Sequence, residues 1–375
     1  MVPNLRFSYK GDWSKRKLNE ICLFFKGNGL SKSDLSNEGF PCILYGELYT
    51  TYKNEVISDI ISKTNTTLSN PFLSRNNDLI IPGSGEDPID IAVARAIYQN
   101  DIILGGDLNI LRPKSNVSAA FLSYQLNGVR RYDIAKKAQG KSIVHLHNSD
   151  LKEVLVSIPS YDEQLHIVKL LTKIDEMIET QSKIINDYKI LKNHIIKSFI
   201  KQNGTSYLLS EIAELGRGRV INSAEISKQK NPIYPVYSSQ TSNNGIMGYL
   251  DNYDYEGEYI TWTTDGANAG TVYYRNGKFN CTNVCGILKI KNGYDAYYIS
   301  NILNCYTKKY VSTNLANPKL MNNVMANIKI NLPSIEQQKH SSKILQSIEY
   351  RVEIEEDIKL NLVKQKAFLL KNMFI

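Results

Sequence analysis

The sequence predicts an α+β chain. Two β-rich globular units are separated by two long α-helices, which pair as an antiparallel coiled coil in a pseudo-two-fold repeat. Three observations predict this. A short motif recurs, with residues 158–166 reading IPSYDEQLH and residues 332–340 reading LPSIEQQKH. Each copy is followed by a long stretch free of Pro and Gly, ending at Ile200 and at Ile375. Each is preceded by short β-type runs punctuated by turn residues.

The repeat extends upstream. Residues 118–127 (SAAFLSYQLN) match residues 295–304 (DAYYISNILN) at an offset of 177. Ala119/Ala296, Ser123/Ser300, Leu126/Leu303 and Asn127/Asn304 are identical pairs. Further up, Leu18, Glu20, Ile21 and Gly27 match Leu209, Glu211, Ile212 and Gly218 at an offset of 191. The falling offset makes the first copy the longer one. The chain therefore divides into a globular unit over 1–160, a helix over 161–202, a second unit over 203–333 and a second helix over 334–375.

Within the units, β-type runs occur at 78–81, 101–104, 258–262, 271–274 and 286–290, set off by Pro82-Gly83, Gly105-Gly106, Asp265-Gly266 and Asn276-Gly277. Short helices are expected at 118–127 and 295–304.

In the first long helix, Ile167, Leu171, Ile174, Ile178, Ile185, Tyr188, Ile195 and Phe199 recur at alternating steps of four and three. Gln181 and Lys192 fill two further positions of that heptad seam. Adding 174 gives Leu345, Ile348, Val352, Leu362, Leu369 and Met373, with Ser341, Glu355, Lys359 and Lys366 as polar breaks. Pro159-Ser160 and Pro333-Ser334 start the helices, and Asp162, Glu163 and Glu336 favour their positive ends. Asn203-Gly204 stops the first. At 1.5 Å per residue each spans roughly 57–60 Å. Such stripes need cover. Equal length and matched register favour helix against helix over each helix lying on its own globular unit.

Composition is that of an ordinary globular protein, 42% hydrophobic and 22% charged, which argues against long disorder. No apolar run reaches the ~18–20 residues of a membrane span, and the polar N-terminus is unlike a secretory signal. Five cysteines suit a reducing cytoplasm better than a disulfide framework. Net charge is +8, of which residues 1–160 carry +3 and residues 201–333 carry +4. The second unit holds 14 of the 24 tyrosines. Most of these read as half-buried strand residues. Basic residues interleaved with Tyr, Ser, Asn and Gln suit phosphate contact and base-edge readout. Candidates for DNA contact are Lys26, Lys32, Arg130, Arg131, Lys136, Lys137, Lys141 and Ser142 in the first unit. In the second they are Arg217, Arg219, Tyr237, Ser238, Ser239, Gln240, Lys308, Lys309 and Lys319.

Catalytic signatures are missing. Cys281 and Cys285 form half a zinc spacing without a second pair. Asn231-Pro232-Ile233-Tyr234 resembles the Asn-Pro-Pro-Tyr of DNA amino-methyltransferases, but one Pro is replaced and no glycine-rich cofactor loop accompanies it. Glu86, Asp87 and Asp90 lack the lysine that completes a nuclease metal site. No phosphate-cradling loop with Lys-Ser/Thr occurs. His166 and His340 fall in the first helical turns and read as packing or surface residues.

The chain resembles the specificity subunit of type I restriction–modification systems. The resemblance rests on Trp13, Leu18, Ile21 and Gly27 with their partial repeat at Leu209, Ile212 and Gly218, where the second copy lacks the Trp. It rests also on Tyr234–Gln240 with Asn244, Gly245 and Ile246, and on the Pro-Ser steps followed by Asp162–Gln164 or Glu336–Gln338 and a heptad helix. It covers essentially the whole chain.

The resemblance implies two target-recognition domains (1–160, 203–333) and two conserved spacer helices (161–202, 334–375). Each domain would read one half of a bipartite, asymmetric site on double-stranded DNA. The helices would set the spacing and dock two methyltransferase subunits. Motor/endonuclease subunits would join them. The partners would use S-adenosylmethionine, ATP and Mg, while this cytoplasmic chain binds no cofactor and catalyses nothing. Two readers on one rod favour half-sites about one helical turn apart, near 34–36 Å. The isolated chain is expected to bind DNA weakly or to aggregate through exposed helix faces. The alternatives are a coiled-coil adaptor and a fused methyltransferase or nuclease.

Overall fold

The computed structural model describes residues 2–201, 203–312 and 317–375. The chain forms two compact units, one of residues 1–183 with 356–375 and one of residues 184–355. Each unit therefore contains a globular part and a segment of each long helix, Tyr161–Ile200 and Ile335–Asn372.

In the first unit a five-stranded sheet runs Cys22–Lys26, Leu108–Pro113, Asp78–Pro82, Arg95–Ile97, Val56–Ile57. All neighbours are antiparallel except the last pair, which is parallel. The central strand Asp78–Pro82 is buried throughout. That accounts for its unbroken apolar run. The helix Ala119–Asn127 packs on the sheet, and the strands Ser14–Lys17 and Leu155–Ile158 form a separate ladder leading into the long helix.

The second unit repeats this plan. Its sheet runs Ala213–Arg217, Cys285–Ile290, Tyr255–Thr263, Val272–Cys281, Tyr234–Tyr237, Ile246–Leu250. The one parallel neighbour again joins the fourth and fifth strands. Helix Ala296–Tyr306 replaces Ala119–Asn127, and Thr205–Leu208 with Lys329–Leu332 makes the same entry ladder. The long hairpin Tyr255–Thr263/Val272–Cys281 pairs Gly257 with Gly277, both at positive φ (108° and 102°). Two facing glycines in that region let the ribbon bend where a side chain would strain it.

The extra length of the first copy lies before the short helix. It builds a second, four-stranded sheet from Leu35–Ser36, Phe40–Ile43, Ser62–Thr64 and Ile103–Leu104. The sequence reading places β structure at 101–104 but does not foresee this sheet, because its strands are only two to four residues long.

The residues shared by the two copies hold equivalent places. Asn127 accepts from the Ala94 amide (2.7 Å) and donates to the same residue's carbonyl (2.9 Å). Asn304 does both to Val272, each at 2.9 Å. Gln164 accepts from the Ser118 amide (2.9 Å) and donates to the Pro159 carbonyl (3.1 Å). Gln338 does the same to Asp295 (3.1 Å) and Pro333 (2.9 Å). Ser118 and Asp295 also cap their short helices, accepting from Phe121 and Tyr298 amides. The Gln of each recurrent motif thus ties the start of a long helix to the start of a short one.

The two long helices lie antiparallel within each unit. In the first, Ile167, Leu171 and Ile174 cluster with Leu369 and Met373, and Ile178 packs at the edge. Trp13, Phe121, Tyr124 and Phe374 complete that cluster, so the helices cover each other and their own globular part together. The two alternatives of the sequence reading are not exclusive. In the second unit Leu345 joins the domain core, with Ile195 and Phe199 packed against it; Ile196, one step off the seam, is the more buried neighbour. Ile185 and Leu362 are buried, and Tyr188, Ile348 and Val352 are half-buried. Among the described residues no helix is long and apolar enough to cross a membrane.

Candidate nucleic-acid interface

Lys26 ends the edge strand of the first sheet, and Gly27 follows it. A Cβ on Gly27 would stand 2.0 Å from the Gly105 carbonyl. Only glycine lets these backbones approach so closely. The second unit repeats the arrangement: Arg217 precedes Gly218, where a Cβ would stand 2.0 Å from the Cys281 carbonyl. Lys26 and Arg217 therefore occupy equivalent places.

Around Lys26 three segments meet. The Gly83 amide donates to the Asp107 carbonyl (2.6 Å), the Leu146 amide donates to the Gly83 carbonyl (2.9 Å), and strand Val144–His145 pairs with Ser84–Gly85. Burial pushes the Lys26 ammonium below its ordinary pKa, and Asp107 opposes this. Lys32 sits in the short turn Lys32–Asp34, on the wall of an open cleft of about 780 Å³ that also holds Leu44, Tyr45 and Asp107. Lys136, Lys141 and Ser142 are exposed and Lys137 half-buried, in the segment that returns at Val144.

Arg130 and Arg131 make contacts within the chain. Arg130 donates to the Ile375 carbonyl (3.0 Å) and to Asp133 (3.3 Å), and Arg131 donates to the Ile89 carbonyl (3.0 Å). Their guanidiniums brace the chain itself, a use that a basic dipeptide in a polar stretch does not reveal.

In the second unit Arg219 is neutralised by Glu225 (2.7 Å) and Asp254 (3.0 Å). Arg217 holds Asn322 through Nε (3.0 Å). Lys308 donates to the Ala269 carbonyl (2.9 Å) and the Thr271 hydroxyl (3.2 Å), and Lys319 lies 3.6 Å from Asp265. Lys309 is exposed. Ser238 donates its amide to the Gly245 carbonyl (2.9 Å), the Gln240 side chain donates to the Ile246 carbonyl, and Ser239 between them is half-buried. Tyr237 lies beneath, its ring 3.5 Å from the Arg275 guanidinium carbon.

The sequence reading passes over Arg275 and Asn243, and names Asn244 only for the family resemblance. The turn signal Asn-Asn-Gly at 243–245 was available to it. Arg275 carried no signal, because a strand arginine reads as exposed until its burial is seen. It is 4% exposed, and that burial lowers its pKa. Cys281 and Cys285 are buried beside Tyr237, Tyr255, Tyr259 and Phe279. Among the described residues no three His, Cys, Asp or Glu side chains are grouped to hold a metal.

The family model described as the type I restriction modification DNA specificity domain matches residues 10–188 and again 203–365. The chain belongs to this family. Its two domain copies coincide with the two repeats of the fold. A Mycoplasma pneumoniae chain named as a type I specificity subunit is 35% identical over 204 residues, covering 53% of this chain and 84% of the relative. The specificity subunit of the M. pneumoniae type I restriction enzyme MpnII is 42% identical over 146 residues, covering 38% of this chain and 43% of the relative. The crystal structure of the type I restriction–modification S subunit from M. genitalium matches 100% of this chain and 99% of its own, with a TM-score of 0.68 at 18% identity. That last likeness is one of fold.

Proposed function

We propose that this specificity-family chain is the non-catalytic DNA reader of a type I restriction–modification complex, working in the cytoplasm. Each globular unit reads one half of a bipartite site on double-stranded DNA. The paired helices set the half-site spacing and dock two methyltransferase subunits, which bring S-adenosylmethionine. Motor/endonuclease subunits using ATP and Mg complete the restricting form. This chain holds none of those cofactors.

One observation carries the reading. The two units share strand order, caps and side-chain locks, yet differ in the segments their sheets present. The first has the additional four-stranded sheet; the second has the hairpin Tyr234–Tyr237/Ile246–Leu250. A common frame with unlike surfaces suits two readers of unlike sequences, and hence an asymmetric target. The modest net charge leaves part of the electrostatic grip to partner subunits.

The test is co-expression with a cognate methyltransferase subunit and mapping of methylated adenines in host DNA. One asymmetric bipartite motif with a fixed spacer is the expected result. A soluble, assembled complex that methylates nothing new would exclude the reading.

A further inference from the structure

In the second unit, residues 238–245 form a loop held at several points. The Ser238 amide bonds the Gly245 carbonyl at 2.9 Å, and the Gln240 amide group holds Ile246. Asn268 donates to the Thr241 hydroxyl at 3.1 Å. From below, Arg275 Nη2 donates to the Asn244 carbonyl at 2.9 Å, and its Nε donates to the Thr261 hydroxyl at 3.2 Å. The guanidinium lies between the rings of Tyr237 (3.5 Å) and Tyr273 (4.4 Å). Its partners are a hydroxyl, a carbonyl and two aromatic faces rather than a carboxylate. A buried cation is costly, so its place beneath this loop calls for a role.

At the tip, Asn243, Asn244 and Gly245 all have left-handed φ, at 47°, 52° and 82°. Three consecutive residues in that region turn the backbone sharply and keep both asparagine side chains exposed. Among the described residues neither amide side chain has a hydrogen-bond partner, although the backbone around them is fixed. A fixed loop with unused amides is preorganised for binding, since its ordering cost is met on folding. An asparagine amide presents a donor and an acceptor that match the N6/N7 edge of adenine in the major groove.

We propose that residues 241–245 are the base-reading loop of the second unit. Asn243 and Asn244 are its specificity-determining residues, directed at adenine edges, and Arg275 is the positioning residue that fixes the tip. This rests on the reading of the chain as a DNA specificity subunit.

The experiment maps the methylation motif of the assembled methyltransferase complex carrying Asn243→Gly/Asn244→Gly, which removes both amides and leaves the left-handed φ of the tip attainable. One half-site should lose discrimination at one or two adenine-containing positions, by roughly 5- to 100-fold. The other half-site and the spacer length should be unchanged. Arg275→Lys should degrade the same positions while melting close to wild type. If that variant fails to fold, Gly245→Ala replaces it. Its Cβ would stand 3.1 Å from Arg275 Nη2 at a φ unsuited to alanine, so it should displace the tip from the other side. A motif unchanged at every position in the double variant overturns the loop's reading role. Loss spread over both half-sites also overturns it, because that reports a general defect. A position shift with Asn243→Gly/Asn244→Gly but not with Arg275→Lys or Gly245→Ala overturns the positioning role. Absence of a bipartite motif from the wild-type complex would instead reject the specificity-subunit reading, so the two failures are distinct.

Discussion

Asp175 and Glu349 occupy equivalent positions in the two long helices, and each receives a lysine from the other helix and a tyrosine from its globular part. Lys366 lies 2.5 Å from Asp175, and the Tyr124 hydroxyl donates to Asp175 at 2.7 Å. Lys192 and Tyr297 do the same for Glu349. Lys192 and Lys366 are themselves equivalent, so the polar breaks of the heptad pattern pair one helix with the other. The tyrosines are not equivalent in sequence; they reach similar carboxylates from different turns of the short helices.

Burial decides what the two clusters contribute. Lys366, Asp175 and Glu55 are 15%, 6% and 8% exposed at their side chains, whereas Glu349 is 40% exposed. Lys366→Met leaves two buried carboxylates without their cation and should cost about 3–5 kcal/mol. Lys192→Met should cost about 1 kcal/mol or less, because solvent screens that pair. Denaturant unfolding of the assembled protein measures both. Equal losses would contradict this ranking.

The same cluster predicts a pH dependence. Burial raises the Asp175 carboxyl above its ordinary range, against the pull of Lys366. A carboxyl raised on folding contributes stability that is full below its unfolded pKa and is lost as pH rises through its folded pKa. Removing Lys366 raises it further. The deficit of Lys366→Met should therefore be larger near pH 8 than near pH 5. A deficit independent of pH would mean that the carboxylates find another cation.

The two motif glutamines should be costly to replace. Gln164 and Gln338 are 0% and 2% exposed, and each satisfies one backbone amide and one backbone carbonyl. Gln164→Leu or Gln338→Leu should lose about 1–3 kcal/mol. Hydrogen exchange should locate the loss at Ser118 or Asp295 and the first turn of the short helix. Unchanged protection there would show that the ties are not maintained in solution.

These relationships mark how much the sequence discloses. The offset that equates Gln164 with Gln338 and Asn127 with Asn304 was readable, because the same backbone problem recurs and selects the same amide. Helix limits were readable because Pro, Ser, Asn and Gly act locally. The four-stranded sheet of the first unit escaped, since two-residue strands leave no periodicity. The carbonyl contacts of Arg130 and Arg131 are not legible either, because a basic side chain that caps a distant carbonyl looks the same in sequence as one that waits for phosphate. Arg275 escaped for the opposite reason: the tertiary fold alone makes it buried.

Lys26 and Arg217 lend themselves to a last measurement, because the fold puts them at the same place in both units. Each precedes a glycine forced by close backbone approach, so neither can drift along its strand. A cation fixed at equivalent places in two copies of a DNA specificity domain suits phosphate contact. Such contacts position a protein without choosing its sequence. In the assembled complex, Lys26→Met and Arg217→Met should each weaken binding similarly on specific and non-specific duplexes. Each should also reduce the slope of log affinity against log salt by about 1, as one fewer phosphate is neutralised. The recognised motif should not change. If either substitution altered the motif and left the salt slope intact, that residue would read a base edge, and the equivalence of the two cations would be one of fold without being one of role.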